Sequence, residues 1–299
     1  MMKHKHLRVV IEDIRSNNNE LNPELNSRLI NEIRYSNLHI PAKKDDSGLN
    51  FIIIEDNDLK LTPLFTDVEE FNKFFKDREN ITLLENSFEL YRNVVKKGDI
   101  EGYILNPASE GYILSKDFIL DITPPKTNFY STNTYSTDEL KQMKNSRNEN
   151  LENFIKNPVN ALNYEGLFEG LSKSNILALM ISDKDLSSRA VNGVISLKKS
   201  GPVAQMYTDN VGGAYGAIFS GEDKINAVEC DYFKYSQVVN LSMFVNFVLT
   251  EDMDGIILNP GSDDVLIPRA ALLRYSIGFE KFACDEKLSE SIFYMFLID

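Results

Sequence analysis

The sequence has no tryptophan, only two cysteines and three histidines, and no cluster of basic residues among its 299 positions. Two cysteines, Cys230 and Cys284, are too few for a disulfide framework and too few for a zinc site without histidine help. Histidine is equally scarce, and His4 and His6 fall in a charged start that reads as mobile. No apolar run approaches the ~20 residues that span a bilayer. The first apolar run, Val9–Ile11, is too short for the core of a secretion signal. The chain therefore reads as cytoplasmic. The formal charge of −13 is spread over both halves, with 20 basic and 25 acidic residues in Met1–Asn150 and 12 and 20 in Leu151–Asp299. Phosphate backbones and anionic bilayers are bound through clustered Lys and Arg, so neither nucleic acid nor membrane is expected as a partner.

What is present is a sentence written twice. EGYILNPASEGYILSKDFIL (Glu101–Leu120) and DGIILNPGSDDVLIPRAALL (Asp254–Leu273) match without gaps at an offset of 153. Gly102 falls on Gly255, Asn106 on Asn259, Pro107 on Pro260 and Ser109 on Ser262. GYIL and GIIL read as short apolar strands. NPASE and NPGSD read as turns, because Asn and Pro favour bent backbone, and GYIL and DVLI read as the return strands. Pro268 suits the first turn of a short following helix.

Upstream the offset becomes 164, laying Phe51–Phe75 over Tyr215–Val239. Both stretches are read as strand, acidic turn, strand and helix. Thr66-Asp67-Val68-Glu69 forms a capping box in the first copy, and Asp231 caps the second. Apolar residues at Val68, Phe71, Phe74 and Phe75, and at Tyr232, Tyr235, Val238 and Val239, then fall on one helical face. Further upstream an offset of 138 lays Leu29–Leu38 over Leu167–Ile176, each a helix running into a strand. These offsets imply 26 extra residues in the second copy, including a hairpin from Val191–Leu197 and Pro202–Tyr207, and 11 extra in the first before its Asn-Pro turn. The helix SFELYRNVVKKG has Lys96-Lys97 at its negative end and Gly98 as its stop. Its counterpart SMFVNFVLTED is more apolar and is expected to lie deeper.

The expected fold is α+β: two tandem related units, each a small, mostly antiparallel sheet with packed helices. Unit one spans 1–122. A polar linker rich in Pro, Ser, Thr and Asn spans 123–150, with a helix resuming near Thr137, and unit two spans 151–299. Leu7–Ile14 and Ser289–Ile298 are apolar enough to pack, with helix and strand both open for each.

The motifs Pro63-Leu64-Phe65-Thr66-Asp67 and Gly102–Pro107 in unit one, with Gly255–Pro260 and IPRAALL in unit two, resemble the amino-terminal domain of the SseB family. The resemblance covers roughly Asn22–Leu120 and, less clearly, Asn160–Leu273. Unit two departs from it at Glu229-Cys230-Asp231, where unit one has the Phe-Thr-Asp motif. The resemblance implies an accessory or interaction module and transfers no catalytic residue.

Chemistry has few candidates. Cys230 is read at a helix start, where the dipole favours a thiolate, but Glu229 and Asp231 oppose it electrostatically. Cys284, in KFACDEK, has no recognisable activating base and reads as a small apolar residue. His39 matches Leu177 by position and reads as a packing residue, and no G-x-S-x-G elbow accompanies it. The glycines of NVGGAYGAIF precede a strand, whereas a phosphate loop follows one. Asp45-Asp46 and Asp263-Asp264 lack the alternating spacing of a calcium loop and read as solvated turns. No cofactor is expected. The remaining candidates are the two loops, with Asn106, Pro107, Ser109, Asn259, Pro260 and Ser262 as paired recognition edges. The expected function is therefore non-catalytic binding of a protein partner. The alternative is an enzyme using the Cys230 thiol or a carboxylate pair between the units.

Overall fold

The computed structural model describes all residues except 1–3, 46–47, 57, 77–79, 126–134, 197–202, 205, 209–211, 277–293 and 299. The chain divides into unit one, Met1–Pro125, and unit two, Lys126–Asp299. Among the described residues no helix is long and apolar enough to cross a membrane.

Unit one begins with two helices, α1 (Lys5–Ser16) and α2 (Pro23–Tyr35). Asn22 caps α2 by accepting from the Leu25 amide at 2.9 Å, and Pro23 occupies the first turn, where no amide partner is needed. Strands β1 (Leu38–Asp45), β2 (Gly48–Phe51), β3 (Ile54–Asp56) and β4 (Leu59–Leu64) follow, then α3 (Val68–Phe74), β5 (Ile81–Asn86), α4 (Phe88–Lys97), β6 (Gly102–Leu105), β7 (Tyr112–Ser115) and α5 (Lys116–Asp121). They form two sheets, ordered β2-β1-β5 and β3-β4-β6-β7, antiparallel except for the parallel pair β4–β6. Pro63 is tolerated in β4 because the β3 partner ends at Leu61. The main core joins α1, α2 and α4 to the sheets through Leu7, Ile11, Leu29, Ile33, Phe88, Tyr91 and Tyr103.

Unit two contains α6 (Thr137–Asn145), α7 (Glu149–Ile155), α8 (Pro158–Ala161), α9 (Tyr164–Ser172), β8 (Ile176–Ser182), β9 (Val194–Ser196), β10 (Val203–Ala204), β11 (Met206–Thr208) and β12 (Ala214–Ile218). Next come α10 (Glu222–Asn226), β13 (Phe233–Val239), α11 (Leu241–Thr250), β14 (Gly255–Leu258), β15 (Val265–Pro268), α12 (Arg269–Ser276) and β16 (Tyr294–Leu297). Its sheets are ordered β10-β8-β13-β16-β9 and β11-β12-β14-β15, with β12–β14 parallel. The second order reproduces β3-β4-β6-β7, and the first reproduces β2-β1-β5 and then adds two strands. Even single bridges recur: His39 pairs with Phe65, and Leu177 pairs with Phe219. The molecule is thus an α+β fold in two similar halves.

The hydrogen-bond register corrects the alignment of the copies. Leu105 pairs with Leu64 and Leu258 with Ile218, so YGAIF lies over LTPLF and not over the apolar FIII run. Counterparts are 138 apart at β1 and β8, 154 apart at β4 and β12, and 153 apart from β5 and β13 onward. The insertion in unit two before β12 is therefore 16 residues, and the 11-residue insertion expected in unit one is absent. Tyr232–Val239 is not a helix capped by Asp231, and the strand expected after the acidic turn of the second copy, at Ile225, is not formed. Phe233–Val239 is the central strand β13, and Ile225 lies in α10. Of the hairpin expected from Val191–Leu197 and Pro202–Tyr207, Leu197, Pro202 and Gln205 lie outside the described residues, and the described strands pair elsewhere: β9 with β16, β10 with β8 and β11 with β12.

The repeat's glycines have a steric cause. A Cβ on Gly102 would fall on the Leu114 carbonyl oxygen, and one on Gly255 would fall on that of Ile267. The neighbouring acids have a hydrogen-bonding one. Glu101 and Asp254 accept from the Lys60 and Ala214 amides at 2.8 and 2.6 Å, clamping the start of each parallel pair. The expected depth of α11 is also seen: it buries six residues, including Phe244, Val245 and Val248, where α4 buries Phe88, Tyr91 and Val95.

The stretch expected as a linker, 123–150, is structural in its second part. α6 carries a Ser136–Glu139 capping box and places Leu140 in the core of unit two. The charged start is also ordered from His4 onward: His4 is buried, and its Nε2 lies 2.9 Å from the Asn37 carbonyl oxygen. Asn148 makes the same contact in unit two, donating to the Asn175 oxygen at 2.7 Å. α7 is therefore the counterpart of α1, and α6 has none among the described residues.

Candidate functional site

The two Asn-Pro loops are built around a buried side chain. Asn106 and Asn259 are fully buried with φ of 42° and 53°, left-handed values that asparagine tolerates better than other residues with a Cβ. In unit one the Asn106 Oδ1 accepts from the Thr66 amide at 3.0 Å, and its Nδ2 donates to Thr66 Oγ1 at 3.0 Å. In unit two Asn259 makes the equivalent pair with Ser220, at 2.8 and 3.0 Å. The backbone is held as well. The Asn106 and Asn259 amides donate to Leu64 and Ile218, and their carbonyls accept from Ser109 and Gly111 or from Ser262, Asp263 and Asp264. Each asparagine thus ties the end of the parallel pair to its own loop and leaves the tip outside.

Ala108 and Ser109, and Gly261 and Ser262, are exposed; Pro107 is half-buried and Pro260 buried. Of the six loop residues singled out in the sequence, Asn106, Asn259 and Pro260 are support, and only Pro107, Ser109 and Ser262 offer surface.

Around this common frame the charges are rearranged. In unit one Arg8 reaches Thr66 Oγ1 at 2.6 Å, Asp67 at 2.9 Å, Glu70 at 3.2 Å and Glu110 at 3.3 Å. Glu70 is almost fully buried, and it accepts from Lys73 at 2.6 Å and from the Ser109 hydroxyl. Burial works against its carboxylate, but hydrogen bonds from Lys73, Ser109 and Arg8 outweigh it and hold the pKa below the usual glutamate value. In unit two the place of Arg8 against the hydroxyl is taken by Glu152, which accepts from Ser220 Oγ at 3.2 Å. The place of Glu70, third in its helix, is taken by Lys224, which pairs with Asp263 at 3.1 Å. Beside that rim lies an open polar cleft of about 600 Å³, lined by Lys144, Arg147, Glu152, Lys156, Glu222 and Asp223 among others.

The cap of α3 differs from the sequence expectation by one residue. Asp67, not Thr66, accepts from the Glu70 amide at 2.9 Å, because Thr66 Oγ1 is engaged by Arg8 and Asn106. Cys230 lies in an irregular segment before β13, not at a helix start, and its thiol donates to the Tyr232 carbonyl at 3.6 Å. Nearby, burial first, with Cys230 and Asp264 adding to it, pushes the Tyr207 hydroxyl up to about 12. Cys284 and Asp46 lie outside the described residues. His39 is buried on β1 in the place of Leu177. The glycines Gly212 and Gly213 precede strand β12. Asp263 is paired with Lys224, and Asp264 accepts from the Gly261 amide at 2.8 Å. Among the described residues no three His, Cys, Asp or Glu side chains are grouped as metal ligands would be.

No family model, curated protein or solved structure matches the chain.

Proposed function

We propose that the chain is a non-catalytic cytoplasmic interaction protein whose two loop tips, Pro107–Ser109 and Gly261–Ser262, are recognition edges. One observation carries this reading: the buried asparagine frame is kept in both units, while the rim around it exchanges sign, Arg8 for Glu152 and Glu70 for Lys224. Support alone requires the frame and leaves the rim undetermined; two binding surfaces with different targets would need the rims to differ. The frame fixes each tip before binding, which lowers the ordering cost of association. The charge of −13 favours neutral or basic protein partners. The resemblance of Pro63–Asp67 and Gly102–Pro107 to the SseB family supports the same class.

The test is affinity capture from native lysate with the wild-type chain, Ala108→Arg, Ser262→Arg and Cys230→Ser. The two tip variants should melt within about 0.5 kcal/mol of wild type, as exposed substitutions do. Each should lose a captured protein that Cys230→Ser retains. Retention of every captured protein by both tip variants would overturn the assignment.

A further inference from the structure

Unit two completes its first sheet with strands that unit one does not have among the described residues. β16 lies antiparallel on the outer edge of β13, with Tyr235 opposite Leu297 and Ser236 opposite Phe296. Both faces of β16 are used. Phe296 belongs to the core cluster that holds Leu177, Phe219, Ile225 and Val228, and Met295 to the one that holds Met180, Ile195 and Tyr235. β5 is the counterpart of β13, and Thr82 and Leu83 hold the places of Tyr235 and Ser236. No described strand pairs with the outer edge of β5. Its residues Ile81, Leu83 and Leu84 are only half-buried, where Tyr235–Val239 of β13 are all buried.

The neighbourhood of that edge keeps the apolar character that receives Phe296 in unit two. The places of Phe219, Ile225 and Val228 are held by Phe65, Phe71 and Phe74. Phe65 packs on Phe71 and Phe74 with ring centroids 5.5 and 6.1 Å apart, and Phe75 joins them at 5.2 Å from Phe71. Phe74 and Phe75 are half-buried. On the opposite face of β5 the place of Tyr235 is held by exposed Thr82, so that side has no equivalent of the Met295 contact.

We infer that the outer edge of β5 is a strand-addition site for an extended segment of a partner protein. That segment joins antiparallel in the register of β16 and carries a large apolar side chain opposite Leu83, facing Phe74 and Phe75, and polar side chains at the alternate positions. Main-chain hydrogen bonds supply the attachment, and the pocket by the phenylalanines supplies selectivity. The site is separate from the loop tips and does not depend on their role.

The probe is a peptide Lys-Tyr-Thr-Phe-Thr-Lys, which keeps the aromatic places of Tyr294 and Phe296 and puts threonine at the alternate ones, titrated into the isotopically labelled full chain and followed by amide shifts and hydrogen exchange. The expected result is shifts centred on Thr82 and Leu83, with slowed exchange there, and at least tenfold weaker binding to Leu83→Lys. A peptide with Phe replaced by Asp should bind at least tenfold more weakly to the unaltered chain, which keeps the test valid if Leu83→Lys does not fold. Shifts confined to Tyr235 and Ser236 would mean exchange into the site of β16 and would overturn the proposal. So would absence of binding at millimolar peptide. Slowed exchange at β5 that grows with protein concentration without peptide would overturn it in favour of pairing between two copies of the chain.

Discussion

Asn106 holds Thr66 at two points, accepting from its amide and donating to its hydroxyl, each at 3.0 Å and out of contact with water. Replacing Asn106 by Ala removes both bonds; the buried Thr66 amide loses its acceptor, while the hydroxyl keeps Arg8 and Asp67. Such a loss costs ~1–3 kcal/mol. The φ of 42° adds ~1 kcal/mol of strain for alanine that glycine does not carry. Asn106→Ala should therefore lose about 3 kcal/mol and Asn106→Gly about 1 kcal/mol less than that, with the same ordering at Asn259. Urea unfolding measures both. Equal losses for Ala and Gly would remove the backbone part of the account, and a loss under 1 kcal/mol would remove the hydrogen-bond part.

Gly102 and Gly255 are predicted to be the least tolerant glycines of the repeat, because the obstacle to a Cβ is a carbonyl oxygen of the neighbouring strand and not the end of a flexible side chain. Gly102→Ala should push β7 away from β6 and cost more than about 2 kcal/mol, in the range of strained or overpacked sites. By contrast, Gly193→Ala meets no atom; its cost is limited to its φ of 76° and should be nearer 1 kcal/mol. Thermal melting of Gly102→Ala, Gly255→Ala and Gly193→Ala checks the order.

These elements differ in how much of them could be read in advance. The Asn-Pro hairpins were legible because three signals agree there: turn residues, apolar strands of four residues and glycines at fixed places. The register upstream was not, since LTPLF and YGAIF share only Phe65 and Phe219, and the apolar run Ile52–Ile54 offers a better match by hydropathy. Only the pairing with β6 and β14 distinguishes them. Phe233–Val239 misled for a different reason. β13 is covered on both faces and flanked on both edges, so its side chains do not alternate, and Tyr235, Val238 and Val239 fit a helical face equally well. In the sequence Asn106 reads as a turn former, and its spacing suggests a loop. Its pairing with Thr66, 40 residues away, follows from the parallel β4–β6 pair and has no local signature. The buried cluster of Arg8, Glu70 and Glu110 is hidden for the same reason: its members come from α1, α3 and the β6–β7 loop.

Glu70 gives a pH dependence with a defined sign. Its carboxylate is held below the usual glutamate pKa, so the folded state favours the charged form more than the unfolded chain does. The resulting stability is complete above the unfolded pKa, about 4.3, and is lost as pH falls through the lower folded value. Glu70→Gln should therefore be less stable than wild type at neutral pH, and the gap should narrow on acidification. Urea midpoints collected from pH 7 down to the acid limit of folding check this. A constant gap over that range would mean that Glu70 contributes by packing alone.

Lys144 is the clearest case of a charge whose removal should be felt beyond its own pair. It is 6% exposed, and its Nζ lies 2.8 Å from Glu222 Oε1 and 2.8 Å from the Leu297 carbonyl oxygen. One ammonium thus joins α6, α10 and β16, the last two through groups that would otherwise lose a partner. Breaking a buried pair from one side costs ~3–5 kcal/mol, because the remaining charge is left desolvated. Glu222 is partly exposed, so Lys144→Met should fall at the lower end of that range. Adding Glu222→Gln should recover part of the loss by removing a carboxylate that has lost its lysine. The Leu297 oxygen loses its donor in both variants, and hydrogen exchange along Tyr294–Leu297 should accelerate equally in the two. If the double variant restores slow exchange at β16 as well as stability, the lysine acts only through Glu222 and does not secure the strand.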